Sequence, residues 1–191
     1  MIRDSRNPYR MTFRPTLILL AALAMLSNPV SADFNHDVAR NPDNLVGKAR
    51  LKFMFWNVFD AELHAPDATF DPNEPFALSL SYLRKLKGDE IVEKSIEEIA
   101  AQQGKQPGDD AGNGTDDLQR WETQLAAIIP DVTDGTTITG LRDEQGHTLF
   151  YRNGEPLGRI DDPAFTQRFF DIWLGESTSD PVFRKRLLGL N

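Results

Sequence analysis

The chain has 191 residues, 21 basic against 29 acidic, a formal net charge of −8 and no cysteine. A surface that acidic repels phosphate and argues against nucleic acid as a partner. The lack of thiols excludes thiol catalysis, iron–sulfur clusters, cysteine-ligated zinc and disulfide staples, so packing alone must hold the single domain that this length accommodates.

The first segment reads as an export signal. Arg3, Arg6, Arg10 and Arg14 form a basic head, ten apolar residues run from Leu17 to Leu26, and Val30-Ser-Ala32 offers a small-residue exit. A charged head, an apolar run of about 7–15 residues and a small-residue cleavage site define a secretory signal. A bilayer-spanning helix needs about 20 apolar residues, and neither this run nor any later one reaches that length. Residues 1–32 are therefore expected to be removed and residues 33–191 to work in the periplasm, with Met1 or Met11 as the start. Taking away the leader's four basic residues and one acid moves the net charge to −11, which gives no electrostatic attraction to anionic headgroups.

Residues 33–44 are polar and read as an irregular lead-in. Arg50 to His64 is rich in aromatics and reads as one long bent strand or two short ones. Phe53, Phe55, Phe59, Ala61 and Leu63 fall on one face by period two; Met54, Trp56 and Val58 fall on the other. A strand apolar on both faces must be covered on both. Ala65 to Glu74, with two prolines, is a turn. Pro75 to Arg84 alternates cleanly, with Phe76, Leu78, Leu80 and Tyr82 inward. Gly88 opens a helix to about Gln103, its apolar stripe built on Ile91, Val92, Ser95, Ile96 and Ile99 and its acids in the first turn. An acidic loop follows to Asp117. A second helix from there to Ile129 carries Leu118, Trp121, Leu125 and Ile128 on one side and stops at Pro130. Thr136 to Arg142 and His147 to Arg152 are strands, and Asn153-Gly154 supplies the positive φ values of a tight hairpin before a return strand to Ile160. Asp161-Asp-Pro163 starts a helix bearing Phe165, Phe169, Ile172 and Trp173 and ending at Gly175. The last helix runs from Asp180 to Leu188. This order predicts an α+β fold, an antiparallel sheet covered by helices.

Spacing alone names no reaction. His36, His64 and His147 lie in separate segments without the clustering of a zinc or copper site. A calcium loop started at Asp109 puts Gly114 at position six but Ala111 at three and Arg120 at twelve, where carboxylates are needed. No phosphate loop or nucleophile elbow occurs, Asp131/Asp134 and Asp161/Asp162 read as turn and helix caps, and no metal or cofactor is expected.

Several segments together resemble the chalcone isomerase-like superfamily, in particular its bacterial exported branch. Gly47-Lys-Ala-Arg50 and Val58-Phe-Asp-Ala-Glu-Leu-His64 are similar to its first strand pair. Leu78 to Arg84, Pro130-Asp-Val, Asp134-Gly135, Phe150-Tyr151, Asn153-Gly154, Phe169 to Gly175 and Leu187 to Gly189 follow in the family's order. The resemblance implies an open-faced β-sandwich, one large antiparallel sheet with helices layered on it and a ligand cleft between. Plant members isomerise chalcones to flavanones, and others bind fatty acids without turnover. Arg50 matches the arginine of the plant enzymes. Their threonine position falls near Met54, and their tyrosine and asparagine positions near Ile91 and Glu98. Neither tyrosine nor asparagine occurs between Lys85 and Gln103, so the donors that would stabilise an enolate or phenolate are missing, and a fold can persist without its activity.

The leading expectation is thus a non-catalytic exported binder or carrier of a small amphipathic carboxylate such as a fatty acid. Arg50 would hold the anionic head, while Phe53, Tyr82 and Trp121 line an apolar cleft. A helix-filled second face is the competing explanation of the doubly apolar strand, and Asp60 and Glu62 are the competing partners of Arg50. Two further readings are an intramolecular lyase of chalcone isomerase type, and an envelope interaction module that docks through an exposed apolar part of the sheet.

Overall fold

The computed structural model describes residues 41–104 and 113–190; the leader segment and the first part of the loop tested as a calcium site, Asp109 to Gly112, lie outside these, while the rest of that loop falls in a helix from Asn113. Six strands form one antiparallel sheet in the order of the chain: β1 (Leu45–Phe53), β2 (Trp56–His64), β3 (Phe76–Tyr82), β4 (Thr137–Arg142), β5 (Thr148–Arg152) and β6 (Glu155–Ile160). Four helices, α1 (Gly88–Gln102), α2 (Asn113–Ile128), α3 (Pro163–Leu174) and α4 (Pro181–Leu187), cover one face. The architecture is the expected α+β open-faced sandwich. No helix among the described residues is long and apolar enough to cross a membrane.

Period-two alternation sorts the sheet into two faces. Ala49, Phe59, Ala61, Leu63, Phe76, Leu78, Leu80, Tyr82, Ile138 and Phe150 are buried under the helices. The helix layer answers with aromatics from α3. Phe169 meets Phe150 edge-on at 5.4 Å and Phe170 meets Phe76 at 4.6 Å. Gly140 makes the second approach possible, because a Cβ there would stand 3.3 Å from the Phe170 ring. α4 lies over β1, and any Cβ on Gly47 would press into the backbone carbonyls of Arg186 and Leu187. α1 packs chiefly on α2 and α3.

The open face is laced by polar cross-strand pairs: Ser79 with Thr139 at 2.8 Å, Ser81 with Thr137 at 2.9 Å, and Lys48 with Glu62 at 2.6 Å. It is therefore not the apolar docking patch that an interaction module would need. Ala77 and Leu141 are buried there beside half-buried Leu149 and Tyr151.

The largest departure from the sequence reading is in the first strand pair. β1 begins at Leu45, inside what reads as the transition from the polar lead-in, and Met54-Phe55 is the turn of a β1–β2 hairpin in which Phe53 pairs with Trp56. Met54 takes φ 53° to close it. β3 pairs with β2 only from Phe59 to His64, so the ribbon around the turn projects past Tyr82. The aromatic run is exposed at a hairpin tip; it is not a strand covered on both faces. α2 also begins four residues earlier than expected, which shortens the acidic loop.

Candidate functional site

Because α1 leans on its neighbouring helices, a cavity of about 510 Å³ opens between it and the sheet. β1, β2 and β3 contribute Leu51, Phe53, Val58, Phe59, Leu80 and Tyr82 to its walls, β4 and β5 contribute Ile138 and Phe150, and α3 adds Phe169, Ile172 and Trp173. α1 supplies Ile91 and Val92 together with Glu90, Lys94, Ser95 and Glu98. The segment between α3 and α4 closes it with Thr178, Ser179 and Asp180. Such a size and lining suit an organic ligand with one extended apolar portion.

The polar groups in this space are mostly committed. Ser95 donates to the Ile91 carbonyl at 2.8 Å and Thr178 to the Ile172 carbonyl at 2.7 Å. Lys94 stands 3.1 Å from both Glu97 and Glu98. The hydrogen bond to Glu98 raises the ammonium's pKa, burial opposes that, and Glu97 reinforces it. Tyr82 differs from these. It is 4 % exposed, its ring meets Phe59 edge-on at 5.7 Å, and its hydroxyl makes no hydrogen bond among the described residues. Burial pushes its ionisation well above the ordinary phenol value, so it stays a neutral donor.

Of the four site residues expected from sequence, the structure brings two to this cavity, Phe53 and Tyr82. Arg50 is a correction. It sits between Ala49 and Leu51 on the alternating strand, so its side chain rises on the open face. There it bonds Asp60 through two nitrogens at 2.5 and 2.7 Å, which holds Asp60 below its usual pKa range, burial working against the shift. Trp121 is a second correction. It is buried between α2 and α3 against Phe165, and its indole N–H donates to Asp162 at 2.9 Å. Asp162 also caps α3 by accepting from the amides of Ala164 and Phe165. Burial pushes the Asp162 pKa up, but the Trp121, Phe165, Arg120 and Ala164 donors outweigh it and leave the carboxyl below its usual range.

Ile91 and Glu98, the positions matched to the plant enzymes' tyrosine and asparagine, do line the cavity; Met54, matched to their threonine, stands exposed at the hairpin tip. Lys94 and the residues between α3 and α4 were not singled out from sequence. Lys94 could have been found, since it borders the Ile91–Ser95 stripe and is spaced three and four residues from Glu97 and Glu98. No comparable signal marks Thr178 to Asp180, whose placement follows from how α4 folds back over β1.

A second hollow of about 740 Å³ lies at the opposite end of β3, between Phe70–Phe76 and α3. It is more polar, bordered by Arg142, Asp171, Glu176 and Arg184. The first cavity is the better ligand site because its walls are apolar and it lies within the sandwich.

A family model described as chalcone isomerase-like matches residues 44–189. Among solved structures, the fatty-acid binding protein of Arabidopsis thaliana is similar in fold. It superposes with a TM-score of 0.55 at 15 % identity over 75 % of this chain and 85 % of that one. No curated protein matches the chain by sequence.

Proposed function

The chain belongs to the chalcone isomerase-like family, and on that premise we propose that it is a non-catalytic binder or carrier of a small amphipathic ligand, a fatty acid first among them. The observation that carries this reading is the 510 Å³ apolar cavity between α1 and the sheet. Its walls suit a hydrocarbon tail, while Tyr82 offers an unspent hydroxyl and Lys94 a cation at the α1 side. The fold shared with a plant fatty-acid binding protein adds support. A carboxylate head would be held by Lys94 in place of Glu98, not by Arg50, which is neutralised by Asp60 on the other face.

The same lining supports a second choice of head. Glu90, Glu98 and Asp180 share the cavity with the one ammonium of Lys94, an excess of negative charge that favours a neutral alcohol or ester over an anion. An isomerase role has less support. The hydroxyls of Ser95 and Thr178 are bonded to backbone carbonyls, and Tyr82 with the exposed Ser179 is a meagre set of donors for a developing oxyanion.

Titration of a fluorescent fatty acid, followed by displacement with the fatty acid or its alcohol, separates these readings. Fatty-acid binding weakened by Lys94→Gln supports the carboxylate head; preferential displacement by the alcohol supports the neutral one. Saturable cyclisation of a chalcone above the spontaneous rate would replace both with the isomerase, and absence of any apolar ligand binding would refute the carrier. We place this activity outside the cytoplasm on the strength of the basic head and apolar run of residues 3–26. N-terminal sequencing should find the processed chain starting at or near Asp33, and recovery of only full-length cytoplasmic protein would refute export.

A further inference from the structure

The β1–β2 hairpin ends in Phe53, Met54, Phe55 and Trp56, exposed by 67, 76, 94 and 62 %. Four consecutive large apolar side chains in water are unusual for a surface otherwise dominated by charge, and the hairpin needs none of them to close. We propose that this tip is a membrane-interface anchor, which inserts between the headgroups of a bilayer containing anionic lipid and sets the cavity against that surface.

Three observations favour a bilayer over another occupant. The first is shape. The tip is a projecting two-stranded ribbon beyond the end of β3, and a stable protein partner would need about 800 Å² from each side, more than four residues at a turn present. A bilayer accepts a convex wedge, and tryptophan and phenylalanine favour its interface. The second is charge. Arg84 lies over the Trp56 ring, its guanidinium carbon 5.3 Å from the centroid, and Lys85, next to Arg84 in the chain, and Lys52, next to Phe53, are exposed. Lys52 faces Asn57 across the ribbon, whereas Lys48 and Arg50 on the same strand face Glu62 and Asp60. Among the described residues Lys52, Arg84 and Lys85 form no ion pair, so their charges remain available to phosphate, against the acidic balance of the chain as a whole. The third is continuity: Phe53 belongs both to the tip and to the cavity wall. A tip held in the interface places the cavity beside the layer in which amphipathic molecules dissolve.

The absence of cysteine from the chain allows a site-specific test on the processed protein, residues 33–191, which lacks the basic head and apolar run of the leader. An environment-sensitive dye is attached at Phe55→Cys, or for control at Glu144→Cys in the exposed β4–β5 turn, and vesicles of phosphatidylcholine with phosphatidylglycerol are added. The expected result is a blue shift and brighter emission at position 55 and none at 144. In unlabelled protein, Phe55→Ser/Trp56→Ser should weaken the tip's contribution to vesicle binding about tenfold or more, and Lys52→Glu/Arg84→Glu should weaken it further on anionic vesicles. No change at position 55 on adding vesicles would overturn the proposal. So would a blue shift that grows with protein concentration in the absence of lipid, which would assign the tip to a second copy of the chain. Vesicle binding does not depend on the cavity being occupied, so failure of the carrier reading leaves this result intact and the converse also holds.

Discussion

Replacing Tyr82 by phenylalanine isolates the largely buried hydroxyl of the cavity wall, which makes no hydrogen bond among the described residues. Tyr82 is almost fully buried, and burial alone raises its ionisation, the signature of a phenol in apolar surroundings without a charged or hydrogen-bonding neighbour. The only fully buried side-chain N or O atom without a partner among the described residues is His64 Nδ1, so the Tyr82 oxygen keeps contact with the cavity space and carries at most a small desolvation cost. Its removal should leave the ligand-free protein between unchanged and about 1 kcal/mol more stable in urea unfolding. If the hydroxyl donates to the head of the bound ligand, the same change should weaken fluorescent fatty-acid binding by about 0.5–1.5 kcal/mol, roughly two- to tenfold. Affinity then falls without a loss of stability, which a purely structural tyrosine cannot produce. A loss of more than about 1 kcal/mol in stability with affinity unchanged would mean that the hydroxyl is bonded within the protein, and it would refute the assignment.

Asp162→Ala removes the α3 cap and orphans the Trp121 indole N–H; a cost of about 2–4 kcal/mol is expected in urea unfolding, part of it recovered when Trp121→Phe is added. Gly47→Ala should lose about 1–3 kcal/mol, since the new methyl would meet the carbonyl oxygen of Leu187 at 2.5 Å. Arg50→Ala should leave fatty-acid affinity unchanged while freeing Asp60 to titrate closer to its ordinary range; weakened binding in a folded variant would return Arg50 to the site. His64 is buried with its Nδ1 unpartnered, and burial lowers its pKa, with Glu62 opposing and Lys48 adding to the shift. Below about pH 6.5 the unfolded chain therefore binds a proton that the folded one refuses, and stability falls as pH drops toward the depressed folded value. His64→Gln should flatten that limb of the pH–stability curve, leaving the contributions of Asp60 and Asp162, also losses on acidification, to appear at lower pH.

Much of the sheet was legible because alternation is a strong local signal where one face is buried. Phe76, Leu78, Leu80 and Tyr82 face the helices as their spacing requires, and Asn153-Gly154 makes the tight turn its backbone chemistry favours, both residues at positive φ. Two strands, one of the two readings of Arg50 to His64, are present, but where the β1–β2 hairpin turns was not legible, for the same reason in reverse. Its turn uses Met54 and Phe55, neither a turn former, and its aromatic flanks imitate a core strand. A run of exposed hydrophobic residues breaks the rule by which hydrophobicity reports burial, and such departures are expected where a surface is kept for binding. With no turn placed at Met54-Phe55, the aromatic run was taken for strand that must be covered on both faces.

The same parity decides the site. A residue's face on a strand flips with each step, so Arg50, flanked by Ala49 and Leu51, could point into the cavity only if those two pointed out. Ala49 is buried and Leu51 lines the cavity, so the Arg50 side chain lies on the opposite face of the sheet. Asp60 opposite in the register then completes a surface pair. The helix that does face the cavity offers Lys94, whose charge Glu97 and Glu98 already balance one turn away. A ligand head must compete with those carboxylates, whereas it meets no competitor at the Tyr82 hydroxyl. On the proposed carrier reading, the neutral donor, and not the cation that the sequence brought forward, is therefore the group to discriminate between ligands by their heads, since a donor in an apolar wall loses most when a ligand cannot accept from it.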